Sequence, residues 1–210
     1  MSHAGAIDLS DVVVTGVGLV CPLGVGCEAA WQAICRGESG VRSVPALVEA
    51  RLPVPIAGQV LDFEPKQYVK PRKALKVMSR ETQLGFAAAE LAWAAARLDD
   101  QPIDPERLGV LTGSNMFCPD VEEMAAAYHA CDDGERRFDF SRWGRQGLAE
   151  MFPLWMLKYL PNMTPCHIGI AHDARGPSNS IVAGDVSAHL ALIEAAETLR
   201  RALDVAAVLP

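Results

Sequence analysis

Arg175-Gly176-Pro177-Ser178-Asn179-Ser180-Ile181-Val182-Ala183-Gly184-Asp185-Val186-Ser187-Ala188 is the stretch on which the reading of this chain turns. Arg175-Gly176-Pro177 is turn chemistry. Ser180 to Ala183 is a brief apolar run, and Val186 to Leu203 is rich in Ala, Leu and Glu and free of Gly and Pro. A turn, a strand and a long helix are therefore expected in succession, with Asp185 where strand becomes helix. Such a junction suits chemistry, because the first N–H groups of a helix lack intrahelical partners and the positive end of its dipole points there.

These residues resemble the β-ketoacyl-acyl-carrier-protein synthases of the elongating kind. In that family Arg-Gly-Pro-Ser leads into a strand, a small residue and the nucleophilic cysteine at the start of a buried helix. Arg175-Gly176-Pro177-Ser178 matches, and Asp185 stands in the cysteine's place. The nearer likeness is to chain-length factors, the partner subunits of polyketide condensing enzymes, whose strand ends Val-Ala before a glutamine; Val182-Ala183-Gly184-Asp185 reads as a variant of it. The resemblance is repeated at the other end, in Val12-Val13-Val14-Thr15-Gly16-Val17-Gly18, Pro22-Leu23-Gly24, Trp31 and Gly37-Glu38-Ser39-Gly40-Val41. It resumes at Phe152-Pro153, Leu160-Pro161-Asn162-Met163 and His167-Ile168, and is least in the middle of the chain. It implies a thiolase-type α/β fold of layers (αβαβα), of which residues 1–210 would be the N-terminal half as a single domain, with dimerisation near the strand before Asp185. Alternating strand and helix patterns alone give only the α/β class.

A condensing enzyme takes an acyl group from a carrier thioester onto its thiolate, then stabilises the carbanion released by decarboxylating malonyl-carrier. The resemblance assigns this to the cysteine with two histidines and a lysine, the latter three in a second half absent from this sequence. Asp185 is no substitute for the thiolate, since a helix N-terminus makes a carboxylate more stable and less nucleophilic. An ionised Asp also donates no hydrogen bond to an enolate, as a neutral Gln does. Its expected role is an N-cap, accepting from backbone N–H groups near Ser187 or Ala188. No catalytic residue is assigned.

Composition limits the alternatives. Half of the 210 residues are hydrophobic and 21% are charged, enough apolar content for a sizeable core. A net charge of −7 argues against general nucleic-acid binding. No apolar run reaches the ~18 residues of a membrane span, and Met1 to Asp8 lacks the basic start of a signal peptide, so the expected location is the cytoplasm. Cys21, Cys27, Cys35, Cys118, Cys131 and Cys166 form no C-x-x-C pair and are expected to be reduced, most of them buried. No metal site stands out and no cofactor is expected. Gly16-Val17-Gly18 is a poor dinucleotide fingerprint, because the third glycine falls on Cys21 and no helix opens there.

Along the chain, Asp11 to Val17 is expected as a strand and Glu28 to Arg36 as a helix; Val41 to Val60 reads as irregular, with an edge strand at Ile56 to Val60. Lys66, Lys70, Arg72, Lys73, Lys76 and Arg80 then fall in a segment with no acid, either a solvated face or a local field opposite to the net charge. The resemblance assigns carrier-protein docking to Lys73 and Lys76 only, just before Met78. Ser79 is placed to cap a helix running to about Arg97, with Leu84, Ala88, Leu91, Ala95 and Leu98 on its buried face. Leu108 to Thr112 reads as a strand ending at Gly113-Ser114-Asn115, and the resemblance places Met116 in an acyl pocket, although a lone Met is often core filler. A helix over Asp120 to Ala130 and a polar, aromatic connection over Phe138 to Met151 follow. His167 and His172 read as hydrogen-bonded core or interface residues, and His172-Asp173 as a poor dyad because neighbours on a helix point apart. His189 lies four residues after Asp185, which allows a carboxylate–imidazole pair, although a cap with a nearby surface or interface histidine is the simpler reading. Leu203 to Leu209 is a final apolar strand.

Three functions remain in view. One is a non-catalytic partner of an active condensing enzyme, dimerising with it as a ketosynthase-type subunit. Another is a piece of a 3-oxoacyl-carrier synthase completed by a second polypeptide. The last is a stand-alone module binding acyl groups or an acyl carrier protein.

Overall fold

The computed structural model describes residues 12–201 and the strand Ala207–Leu209. Its longest strand, Leu108–Ser114, is buried at five consecutive residues with no inside–outside alternation, the mark of a strand covered on both faces. In chain order the elements are β1 (Val20–Cys21), β2 (Gly24–Val25), α1 (Cys27–Cys35), β3 (Val41–Ser43), α2 (Pro45–Glu49), β4 (Ile56–Gly58), α3 (Arg80–Ala95), β5 (Leu108–Ser114), α4 (Val121–Ala130), α5 (Trp155–Tyr159), α6 (Met163–Ala171), β6 (Ser178–Val182), α7 (Ser187–Arg201) and β7 (Ala207–Leu209). The main sheet has the order β6-β5-β7, and both neighbours run parallel to β5.

Side chains alternate along β5, and the two faces meet different helices. Val110 joins Phe86 of α3, Ile168 of α6, Val69 and Met78 in one buried cluster. Gly113, of opposite parity, lies against α7: a Cβ there would stand 2.3 Å from the Ser187 carbonyl oxygen. The result is helices, sheet and helix in layers, an α/β arrangement. Each large apolar side chain in that cluster contributes about 1.5–3 kcal/mol on burial.

Helix α3 begins as expected, with Ser79 Oγ accepting from Thr82 N. Its buried face differs from the expected one. Thr82, Phe86, Ala87 and Trp93 are buried, whereas Leu84, Ala88 and Leu91 are half-buried and Ala95 is exposed. The reason is that β5 and α6 hold the Phe86 side, while the chain from Val12 to Gly18 crosses another side. There Gly16 and Gly18 press on the backbone at Ala92 and Ala88, leaving no room for a Cβ. Of the strand expected over Asp11 to Val17, the described part, Val12 to Val17, joins no ladder among the described residues; Asp11 lies outside the described residues.

The stretch from Val41 to Val60 is more regular than expected. β3 and β4 pair antiparallel through Arg42 and Ala57, and Pro45 opens the one-turn helix α2, where its missing N–H costs nothing. The last strand, expected over Leu203 to Leu209, is observed at Ala207–Leu209; residues 203–206 lie outside the described residues. All six cysteines are free, but only Cys131 is buried. Cys27, Cys35, Cys118 and Cys166 are exposed and Cys21 is intermediate, so the expectation of mostly buried thiols fails. Cys27 and Cys35 lie on the outer side of α1, whose buried residues are Ala30 and Ala33. Among the described residues no helix is long and apolar enough to cross a membrane, and no group of three His, Cys, Asp or Glu is placed to hold a metal ion.

Candidate functional site

The turn that precedes β6 is fastened residue by residue. Asp173 takes a left-handed conformation (φ 51°) and its carboxylate accepts a two-pronged hydrogen bond from Arg175, both arms at 2.9 Å. Gly176 N donates to the Leu108 carbonyl at 2.9 Å, where a Cβ on Gly176 would come within 2.8 Å of the same oxygen. Pro177 O accepts from Val110 N. Arg-Gly-Pro thus sets the register in which Ser114 of β5 lies opposite Val182 of β6. Both strands end on the same side of the sheet, and the crevice beyond the carboxyl ends of parallel strands is the usual ligand position in open α/β sheets.

At that end the chain turns through Gly184 (φ 62°) and a short 3-10 turn, Gly184–Val186, into α7. Asp185 lies in this turn, exposed, and among the described residues its side chain makes no hydrogen bond or ion pair. The expected cap is therefore absent. Ser187 closes the turn instead, its buried Oγ accepting from Ala183 N at 2.8 Å and donating to Gly184 O at 2.7 Å. The left-handed glycine swings the chain so that position 185 points outward while position 187 points back at the turn. His189 is exposed and likewise unbonded among the described residues, so the Asp185–His189 pair does not form. Helix α7 buries the narrow stripe Ser187, Ala191 and Ala195, leaving Leu190, Leu192 and Ile193 exposed; the buried helix that the resemblance implies is not what this chain shows.

The loop after β5 opens on the same crevice. Ser114 Oγ, at the strand end, is buried without a partner. Met116 is 67% exposed, with Phe117 buried beside it. Lys73 and Lys76 lie on the 3-10 turn Arg72–Val77, both exposed, directly before the buried Met78. Among the described residues no carboxylate pairs with Lys66, Lys70, Arg72, Lys73 or Lys76, whereas Arg80 is spent on Val60 O and the Phe63 ring. The basic segment is thus a real cluster of unpaired cations and not a laced surface.

Two histidines behave as structural residues. His172 Nε2 lies 2.7 Å from Glu90 Oε1, and its ring stacks on Trp93 with centroids 3.9 Å apart, so its partner is across the fold on α3 and not Asp173. His167 is half-buried, its Nε2 is buried without a hydrogen-bond partner, and burial, outweighing the opposing effect of the Val77 backbone, holds its imidazole below the ordinary value. Two open cavities, of about 370 and 220 Å3, flank Tyr68; Phe63 and Glu64 line the first, Glu90 and His172 the second, and neither reaches Asp185 or Met116.

Sequence reasoning missed a cluster beside the crevice. Tyr159 OH donates to Glu123 Oε2 at 2.9 Å and accepts from Asp120 N at 3.2 Å, while Lys158 pairs with Glu123 Oε1. No local signal joins residues so far apart in sequence.

Comparison with known proteins agrees with this geometry. Residues 9–208 match the family described as β-ketoacyl synthase, N-terminal domain. The tetracenomycin polyketide synthase ketoacyl synthase β subunit of Streptomyces glaucescens is 32% identical over 199 residues, covering 92% of this chain and 45% of that protein. The 3-oxoacyl-[acyl-carrier-protein] synthase 2 of Coxiella burnetii is 28% identical over 172 residues, 81% of this chain and 38% of that one. A solved type II polyketide acyl-carrier protein in complex with its ketosynthase superposes with a TM-score of 0.69 at 22% identity, over 92% of this chain and 47% of the other, which shows the same fold. The chain spans less than half the length of each of these relatives. It belongs to the β-ketoacyl synthase family, of which it carries the N-terminal domain.

Proposed function

We propose that this chain acts in fatty acid or polyketide assembly as a non-catalytic, chain-length-factor-like partner of an active condensing enzyme, in the cytoplasm. The observation that carries the reading is Asp185: a carboxylate, exposed and unbonded, where the family's thiolate would stand. Thioester exchange needs a nucleophile that is also a good leaving group, and a carboxylate at a helix start is a poor nucleophile. What remains useful is shape and charge. Met116 and the crevice loop would line an acyl cavity, completed by a second subunit. The outer edge of β6, with Val182 and Val186 exposed beside it, would meet that subunit. Lys73 and Lys76 would receive an acidic carrier protein through salt-sensitive contacts. The reading is also supported by a relative that bears the name of a ketoacyl synthase β subunit.

The test is co-expression with a cysteine-bearing ketosynthase. A stable complex is expected, inactive when the partner's cysteine is changed to Ala and unaffected by Asp185→Ala. Failure to co-elute, or carbon dioxide release from malonyl-carrier by this chain alone, would sink the proposal. In the double variant Lys73→Glu, Lys76→Glu, carrier binding should fall and lose most of its salt dependence.

A second reading is favoured by one fact, that the chain spans less than half of its relatives. It would then be one half of an acyl-transferring 3-oxoacyl-carrier synthase, completed by another polypeptide. Turnover on adding a second half would support that reading, and a silent assay with the second half present would end it.

A further inference from the structure

The loop Asn115–Asp120 carries Met116 and has few fastenings. It leaves β5 at Ser114, Phe117 is buried, and the Met116 N–H is taken by the neighbouring Asn115 side chain at 2.8 Å. At its far end Asp120 O accepts from Glu123 N of α4 at 3.2 Å, and Asp120 N donates to Tyr159 OH at 3.2 Å, which ties the loop to α5. Tyr159 is itself held from behind. Its hydroxyl donates to Glu123, Lys158 pairs with the other oxygen of that carboxylate and lies over the Tyr159 ring, and the Trp155 ring packs beside it at 5.2 Å. Asp120 also caps α4 through Glu122 N, so one residue ends the loop and starts a helix. Helix α5, which bears Tyr159, packs on α6 and on the basic turn Arg72–Val77, both parts of the body of the molecule.

A phenol that both donates and accepts is suited to this place. It can satisfy a loop N–H and a carboxylate together, and the charged acceptor fixes the direction of its proton. We propose that Tyr159, oriented by Glu123 and Lys158, is a positioning residue for the crevice loop, and through Met116 sets how deep an acyl chain can enter. The length-setting part rests on the acyl-cavity reading above; the positioning of the loop does not.

Cys118, exposed in the same loop, supplies a readout independent of any activity, and exposed Cys166 on α6 is its internal control. Alkylation would be followed cysteine by cysteine by mass spectrometry in wild type, Tyr159→Phe and Glu123→Gln. Losing one such hydrogen bond should raise the Cys118 rate about fivefold in Tyr159→Phe, leaving Cys166 unchanged. Glu123→Gln keeps an acceptor for the hydroxyl and should rescue most of the effect. Reaction at buried Cys131 would reveal a variant that has merely unfolded, in which case Glu123→Ala replaces it. An unchanged Cys118 rate overturns the proposal. The complex with a ketosynthase then gives the second readout: Tyr159→Phe should broaden product chain lengths at nearly constant turnover. A raised Cys118 rate with unaltered product lengths overturns the length-setting role. Absence of any complex with wild-type chain counts against the proposed function, while Cys118 still decides whether Tyr159 holds the loop.

Discussion

The two long helices begin in opposite ways. The start of α3 is shut: Ser79 is buried, its hydroxyl bonds Thr82, and Thr82 is bonded in turn by Thr164 of α6 at 3.3 Å. The start of α7 is open: Ser187 closes the turn from inside, and Asp185 stands in water with no partner among the described residues. Only α3 satisfies one of its unpaired N–H groups with a serine; at α7 the serine binds the preceding turn, through Ala183 N and Gly184 O. A sealed terminus serves stability, and an open one at the carboxyl end of parallel strands is where a ligand or partner can be met.

That contrast is sharpened first by the core beneath α3. Phe86 is 3% exposed, and Phe86→Ala should cost about 3–5 kcal/mol, seen as a large fall in denaturant midpoint. A loss under about 1 kcal/mol would mean that α3 is not the sealed half. Next is the contact that seats α7. Gly113→Ala places a Cβ 2.3 Å from the Ser187 oxygen, and a loss of about 1–3 kcal/mol is expected, with the helix start displaced. If the variant is as stable as wild type, β5 and α7 do not pack so closely.

The serines allow a direct comparison. Ser79→Ala should cost about 1–2 kcal/mol, as a lost helix cap that also strands Thr82 in a buried network, and Ser187→Ala less, about 1 kcal/mol, through its turn hydrogen bonds to Ala183 N and Gly184 O. The reverse order would break the distinction between sealed and open starts. A gentler effect comes from pH. His167 titrates below its ordinary value of about 6.5 because it is buried. The unfolded chain therefore takes the proton first, so the stability due to a neutral His167 is present above about pH 6.5 and is lost as pH falls below it, until the folded ring also protonates. His167→Gln should flatten the difference in urea midpoint between about pH 7.5 and 5.5; an unaltered slope would show that another group titrates. Smallest of all is Asp185→Ala, expected within about 0.5 kcal/mol of wild type by thermal melting. A loss above about 1 kcal/mol would restore the capping role that the geometry denies it.

Much of this was legible locally. Ser79 as a cap, the strand at Leu108, the helix after Asp120 and the turn at Arg175-Gly176-Pro177 all follow from propensity and turn chemistry within a few residues. The misses share a cause. The buried face of α3 was misread because Leu84, Ala88 and Leu91 are as apolar as Phe86 and Trp93, and only the positions of β5 and α6 choose between them. The outward cysteines were misread because thiols are small and tolerated on either side of a helix such as α1.

The sequence by itself determined the family, the α/β class and the replacement of a nucleophile by Asp185, because these rest on residue identity and short-range order. Tertiary structure alone decided that Ser187 and not Asp185 closes the α7 turn, that His172 pairs with Glu90, and that Tyr159 reaches the crevice loop. Each of these depends on directions of side chains brought together from distant parts of the chain or turned by one left-handed glycine. Such directions are fixed by packing, which pattern and propensity do not encode.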